Sequence, residues 1–506
     1  MRLILLIVFF SIASFSCKTK KQEESKKIHF EQTWESLSQH ESAPEWLKND
    51  KFGIYFHWGV YTVPAFGFEW YPRLMHKKND KYFGSDIYEH HLDTYGHPSE
   101  FGYHDFVPMF KAEKFDPEAW AELFKKAGAK FAGPVAEHSD GFSMWASNIT
   151  PWNAMDKGPH QDIVGELEKT IRGQGLKFIT TFHHAVNLQR YSDKPEETYF
   201  RNSYYPYING MPPTSNDPEL KYLYGNIPEQ QWLNEVWFPK LKEVIDNYNP
   251  DLMWFDSGLD LIPENYRKEF AAYYLNQAED WGKSVAIVRK QDDLPLSMSI
   301  NDLEKSRMNR MGKHVWMTDE TISTGSWGYT NDLVIKPAED ILHVLIDIVS
   351  KNGVLLLNIS PKSDGVIPDN QKDVLLKMGD WLGKYGEAIY NTRPWYIFGE
   401  GPTLQPEGNF ENHSDFKKVK YSAEDVRYTT TKNVIYAVTL GSPEPNKKIV
   451  FKAFSPSEVT RELKIKNIAI PGSSQIIEYE MKEDGLWVKT PDVMNEMAVV
   501  FKIEIE

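Results

Sequence analysis

The 506-residue sequence predicts an α/β protein, a (β/α)8-type (TIM-like) barrel followed by a C-terminal antiparallel β-sandwich. Three observations carry that expectation. Short apolar runs alternate with amphipathic helical patterns as far as about residue 390, the pattern of parallel strands joined by crossover helices. Most of the apolar runs end in a polar or ionisable residue. Beyond NTRPW, within 390–400, the texture changes to short segments of period-two alternation separated by Gly, Pro, Asn and Asp. No GxGxxG or GxxxxGK turn follows a strand, which removes the phosphate cradle of a nucleotide-binding sheet.

The N-terminus reads MRLILLIVFFSIASFSC, one Arg, an apolar run of about a dozen residues and then small residues, which is a signal-peptide pattern; a spanning helix needs about 20 apolar residues. Cys17, the chain's one cysteine, stands where cleavage is expected and resembles the lipidated cysteine of a bacterial lipoprotein, although Ser14 occupies a position usually held by Leu. Residues 1–17 are therefore expected to be a signal peptide with Cys17 as a lipidation site, and 18–30 a solvated tether. The corresponding location is the periplasm or outer membrane of a bacterium, with the membrane reached only through that lipid.

The barrel is expected over 31–393. Its candidate strands are 51–58, 129–138, 176–184, 251–256, 284–290, 314–319 and 353–360. Among the helices, FDPEAWAELFKKAGA has Asp116 to cap it, Pro117 at its first position and Trp120, Leu123 and Phe124 on one face. WLNEVWFPKLKEVIDNYN, ENYRKEFAAYYLNQAEDW, AEDILHVLIDIVSKNG and NQKDVLLKMGDWLGKYGEAIY repeat the pattern. The sandwich is expected over 394–506, with strands in NVIYAVTL, KKIVFKAF, ELKIKNIAI, SQIIEYEM, GLWVKT and EMAVVFKIEIE.

A formal charge of −15 argues against a nucleic-acid partner, because phosphate binding needs clustered Lys and Arg. A 14% aromatic content, with 16 Trp and 26 Tyr, suits flat apolar faces packed on a ligand as well as a large core.

Barrel chemistry is built at the C-terminal ends of the strands. The residues there are His57, Glu69, Trp70, His138, Asp140, His183, His184, Trp254, Asp256, Lys290, Asp319 and Glu320. A strand-end Asp is often a helix cap, and a lone His is often a packing residue; recurrence at one end of successive strands argues for a site. There is no HxH or HExxH pair, and adjacent His183 and His184 would point to opposite faces, so neither a metal nor another cofactor is expected. No GxSxG elbow is present. Paired-carboxylate glycoside hydrolysis needs a nucleophile, an acid, and aromatics and His to hold hydroxyls, all of which this set contains.

Seven motifs in order, KFGIYFHWGVYTVPAFGFEWY, FDPEAWAELFKKAGAKF, AEHSDGFSMW, GLKF, LMWFD, SWGYT and SKNGVLLLNISPKSDGVIPDNQ, resemble glycoside hydrolase family 29, the α-L-fucosidases, over roughly 30–395. The resemblance implies an exo-acting retaining fucosidase on fucosylated oligo- or polysaccharides, with Asp256 as nucleophile and Trp254 beside the sugar. It implies an acid/base in the variable loop before SWGY, where Glu304 is the choice and Asp302 and Glu320 are rivals. His57, Glu69, Trp70 and His138 match sugar-holding positions, and Lys290, chosen over Arg289, matches a basic one. His183 and His184 stand in a segment where relatives often carry aromatics, so that one of the two, with His183 the choice, is expected to face the sugar. Ser139 replaces a His of the usual His-His-Asp-Gly run, and VRKQDD departs from Asn-Asp-Arg-Trp. These departures leave open a related L-sugar such as α-L-galactose, or a silent fucose-binding protein.

Overall fold

A computed structural model describes residues 27–78, 86–187, 218–409, 416–458, 463–492 and 496–506. The expected signal peptide, Cys17 and most of the tether lie outside the described residues. Residues 27–30 lie against the helix Glu264–Trp281: Phe30 is buried, its N–H donates to Asn276 Oδ1 at 2.8 Å, and its carbonyl accepts from Asn276 Nδ2 at 2.9 Å. No helix among the described residues is long and apolar enough to cross a membrane.

Eight parallel strands form the first sheet: β1 Phe52–Phe56, β2 Phe131–Glu137, β3 Lys177–Phe182, β4 Leu252–Phe255, β5 Ala286–Arg289, β6 Ile300–Asn301, β7 Trp316–Thr321 and β8 Gly353–Ile359. The order β6-β5-β4-β3-β2-β1-β8-β7 closes on itself through a parallel bridge between Asp302 and Met317, where Leu303 N–H donates to the Met317 carbonyl at 3.0 Å. Strand alternation sorts the side chains. Tyr55, Val135, Ile179, Leu252, Trp254, Ala286, Val288, Ile300, Met317, Val354 and Leu356 fill the barrel, while their neighbours Phe56, Phe178, Phe255, Ile287 and Leu355 pack outward under the helices.

The helices sit as their patterns predict. Asp116 caps Pro117–Lys126 by accepting from Ala119 N–H at 2.9 Å, a contact of about 1 kcal/mol, and Trp120, Leu123 and Phe124 are buried. Ile163–Gly173, Phe238–Tyr248, Glu264–Trp281, Ala338–Ser350 and Asp369–Tyr385 complete the outer layer. The crossovers β5–β6 and β6–β7 carry no helix. The second of these is the loop bearing Glu304.

The C-terminal unit has a five-stranded antiparallel sheet, in which β9 Arg393–Glu400, β10 Val426–Thr431, β11 Val434–Thr439, β13 Ile465–Ala469 and β16 Val499–Ile505 are ordered β13-β16-β11-β10-β9. A three-stranded sheet of β12 Lys448–Phe451, β14 Tyr479–Lys482 and β15 Gly485–Lys489 faces it, and Phe451 meets Phe501 across the gap at 5.3 Å between centroids. The sandwich is fastened to the barrel by Asp347 of helix Ala338–Ser350, which pairs with Lys351 at 2.8 Å and with Arg427 of β10 at 2.6 Å.

Candidate active site

Alternation continues one residue past each strand and brings the predicted groups to one end of the barrel. His57 follows inward Tyr55, His183 follows inward Thr181, Asp256 follows inward Trp254, and Lys290 follows inward Val288. On β2 the register against β3 shifts between Val135 and Glu137. Glu137 therefore meets Lys240 of the helix layer at 2.8 Å, and His138 turns to the barrel axis. The same rule separates the ambiguous pairs. Lys290 faces the site, whereas Arg289 bonds to Asp292 on the outside. His183 faces inward, whereas His184 stacks on Trp237 at 6.0 Å.

Asp256 is the hub. Its Oδ2 lies 3.0 Å from His183 Nδ1, and its Oδ1 accepts from Lys290 Nζ at 2.8 Å. Burial raises the carboxyl pKa, but Lys290 and His183 outweigh it and hold Asp256 well below the usual carboxylate range. Burial would likewise neutralise Lys290; the surrounding carboxylates, Asp256 first, keep the ammonium charged. Lys290 also donates to Glu304 Oε2 at 2.6 Å.

Glu304 and Lys305 both have positive φ, 34° and 54°, and the turn is held by the Glu304 N–H donating to Asp302 Oδ1 at 2.7 Å and by the Lys305 N–H donating to the Asp319 carbonyl at 2.8 Å. Asp302 is fully buried and also accepts from Trp254 Nε1 at 3.0 Å, so its carboxylate orients the loop. Glu320, on the outward face of β7, is paired with Lys336 at 2.7 Å. Of the three candidates for the acid, only Glu304 shares the Lys290 ammonium with Asp256 by hydrogen bond.

His57, His138 and His183 gather around the axis with ring centroids 4.5–5.6 Å apart. Burial pushes His57 and His138 well below the usual imidazole range, which keeps them neutral and able to donate and accept. His57 Nδ1 lies 2.8 Å from Asn358 Oδ1, which leaves Nε2 for the cavity. The nitrogens of the three rings come within 4.8 Å of one another, a donor set that metals as well as hydroxyls accept. The fixed Lys290 cation acts on two of these rings and disfavours a second cation among them.

Trp70 lies 4.9 Å from His138. Glu69 Oε2 accepts from Ser326 Oγ and Trp327 N–H, each at 3.0 Å, and tethers the SWGYT loop; burial raises its pKa. Trp254 is fully buried beneath Lys290, which stands 4.6 Å from its ring, and so it floors the site.

Sequence reasoning passed over Tyr55, which donates to Asp319 Oδ2 at 2.6 Å, and Asn358, which ends the apolar run of β8 as the chosen residues end theirs. It also passed over Trp327, 5.4 Å from His57, although SWGYT was among the motifs. Asp319 stood in the strand-end set without a role; burial and Asp302 raise its carboxyl well above the usual range.

Comparison with known proteins agrees with this geometry. Residues 16–387 match the family model described as Alpha-L-fucosidase. The rat tissue alpha-L-fucosidase is 30% identical over 82% of this chain and 80% of its own, and the human plasma alpha-L-fucosidase 32% over 75% of each. The crystal structure of Thermotoga maritima alpha-fucosidase in complex with fucose superposes with a TM-score of 0.72 at 26% identity, covering 94% of this chain and all of that one. The same enzyme with a mechanism-based inhibitor gives 0.73 at 27% identity, with the same coverage.

Proposed function

The chain belongs to the alpha-L-fucosidase family of glycoside hydrolases, and from that premise we propose that it removes terminal α-L-fucose from glycans by a retaining, two-step mechanism. The observation that carries the stereochemistry is the shared ammonium. Because Lys290 Nζ lies 2.8 Å from Asp256 and 2.6 Å from Glu304, the two bonded carboxylate oxygens stand no more than about 5.4 Å apart, which is short of the ~6.5–9.5 Å of inverting enzymes and compatible with the ~5–5.5 Å of retaining ones.

In the first step Asp256 attacks the anomeric carbon while the Glu304 carboxyl gives its proton to the departing glycosidic oxygen. A fucosyl–Asp256 ester forms, and the C–O bond to the leaving sugar breaks. In the second, Glu304 takes a proton from water, the water oxygen attacks the anomeric carbon, and Asp256 is released. Sugar entering between the carboxylates parts Glu304 from Lys290 and turns its carboxyl toward the glycosidic oxygen. His57, His138 and Trp70 are read as the groups that hold hydroxyls and cover the ring, with Glu69 and His183 beside them.

Proton NMR of p-nitrophenyl α-L-fucoside hydrolysis tests the proposal: α-L-fucose should appear first and mutarotate afterwards. First-formed β-fucose would overturn retention. The N-terminal pattern, with Cys17 as lipid acceptor, supports export to the periplasm or outer membrane as a further part of this reading.

A further inference from the structure

A second cavity, of about 340 Å³, adjoins the Glu304 loop on the outward side of β7, where Glu320, Lys336 and the helix Ala338–Ser350 also line it. Its near wall is the Glu304 loop itself, through Lys305 and Arg307; its far wall is the C-terminal unit, through Phe416, Lys417 and Tyr421. Lys305 belongs to both places, since its ammonium lies 4.2 Å over the ring of Trp327.

Arg307 is the unusual group. The residue is 4% exposed, its Nε has no hydrogen-bond partner, and among the described residues its guanidinium makes one long hydrogen bond, 3.3 Å from Nη1 to the Tyr421 hydroxyl. It stacks near Phe416 at 5.0 Å, which compensates a cation in part. The carboxylates that act on it from a distance are already paired, Asp347 with Lys351 and Arg427, and Glu320 with Lys336. Of the other acids of the wall, Asp340 is paired with Lys420 at 2.5 Å, and Glu339 is an exposed carboxylate beside His343, whose imidazole burial holds below its usual range. Arg307, Lys305 and Lys417 remain against the one carboxylate of Glu339, a surplus of positive charge in a chain whose formal charge is −15. A buried guanidinium in that state is costly until an anion completes its fork.

We propose that this cavity is a leaving-group subsite that selects glycans carrying an anionic substituent, a sulfate ester or a carboxylate, on the sugar to which fucose is attached. The inference rests on the fucosidase reading and on Glu304 as acid. The acid must touch the glycosidic oxygen, so the leaving sugar begins at Glu304, and the loop's next residues line the space it would enter. The anion meets Arg307 as a two-pronged acceptor, with Lys305 and Lys417 at the rim.

The test compares kcat/KM for three fucosyl disaccharides that differ only in the leaving sugar, neutral, O-sulfated or uronic acid, beside p-nitrophenyl α-L-fucoside, in the wild type, Arg307→Gln and the exposed Lys417→Ala. The wild type should prefer at least one anionic disaccharide by about tenfold or more. Arg307→Gln should reduce that preference to about twofold, with p-nitrophenyl fucoside turnover and the melting curve near wild type; Lys417→Ala should reduce it less and covers the case in which Arg307→Gln fails to fold. Inorganic sulfate should compete against the anionic disaccharides alone. An equal wild-type rate on all three disaccharides, or a preference that survives both substitutions, overturns the subsite. Absence of turnover on every fucoside sinks the fucosidase reading instead; calorimetric binding of the sulfated disaccharide, lost in Arg307→Gln, then judges the cavity separately.

Discussion

Lys290 donates to Asp256 at 2.8 Å inside a pocket that otherwise favours the protonated carboxyl. The pair fixes the sign of a pH effect. With Lys290 present, Asp256 stays ionised down to pH values well below the ordinary carboxylate range, so its protonation does not set the acidic limb of kcat/KM near neutrality. In Lys290→Met the burial effect is left opposed only by His183, and the Asp256 pKa rises. The acidic limb should move upward by about one unit or more, with kcat reduced throughout. Asp256→Asn should lower kcat by about 10⁴-fold or more at every pH. A pH profile of Lys290→Met that superposes on the wild type after scaling would refute the electrostatic role.

Asp302 and Glu304 are two residues apart and perform different tasks in this geometry. Glu304→Ala should slow hydrolysis of natural glycans by about 10²–10⁴-fold, and azide should restore turnover of p-nitrophenyl fucoside as fucosyl azide. Asp302→Ala removes the acceptor for Glu304 N–H and Trp254 Nε1, so activity should also fall, but azide should not restore it. Rescue of the Asp302 variant alone would exchange the assignments.

The barrel was legible because seven of its strands are apolar runs with a polar end. The eighth, Ile300–Asn301, has two residues and no periodicity to read; it exists because the bridge to Met317 closes the barrel there. In the sandwich, β9 and β10 escaped notice: RPWYIFGE has few buried side chains, and VRYTTT spends its polar side chains on contacts specific to the fold, such as Arg427 on Asp347. The inward facing of Lys290 and the outward facing of Arg289, Glu320 and His184 follow from strand alternation. The pairing of Asp302 with the Glu304 turn does not, because positive φ at two non-glycine residues is imposed by tertiary contacts.

Glu69 connects the first strand's loop to the SWGYT loop through two hydrogen bonds to one oxygen. Glu69→Ala frees Trp327 from its place near His57, so KM should rise by about tenfold and by a larger factor than kcat falls; Ser326→Ala, which removes one of the two donors, should produce a smaller change of the same kind. Equal losses in kcat and in kcat/KM would mean that Glu69 acts only in the transition state.

Asp347 joins the two structural units. Its carboxylate is fully buried and takes Lys351, Arg427 and Gln405 Nε2, the last at 3.0 Å. Burial raises its pKa, but the cations, Lys351 and Arg427 foremost, carry it far below the usual value. A depressed carboxyl contributes stability that is complete above its unfolded pKa, near 4, and is lost as pH falls through the folded value. Asp347→Ala leaves two buried cations without their partner, and it should cost about 3–5 kcal/mol at pH 7. The cost should shrink as pH falls below about 4, because the wild type then loses the same contribution. Denaturant unfolding of the two proteins between pH 7 and pH 3 measures the difference. A cost that stays constant over that range would show that the loss comes from packing and not from the charge that Asp347 supplies.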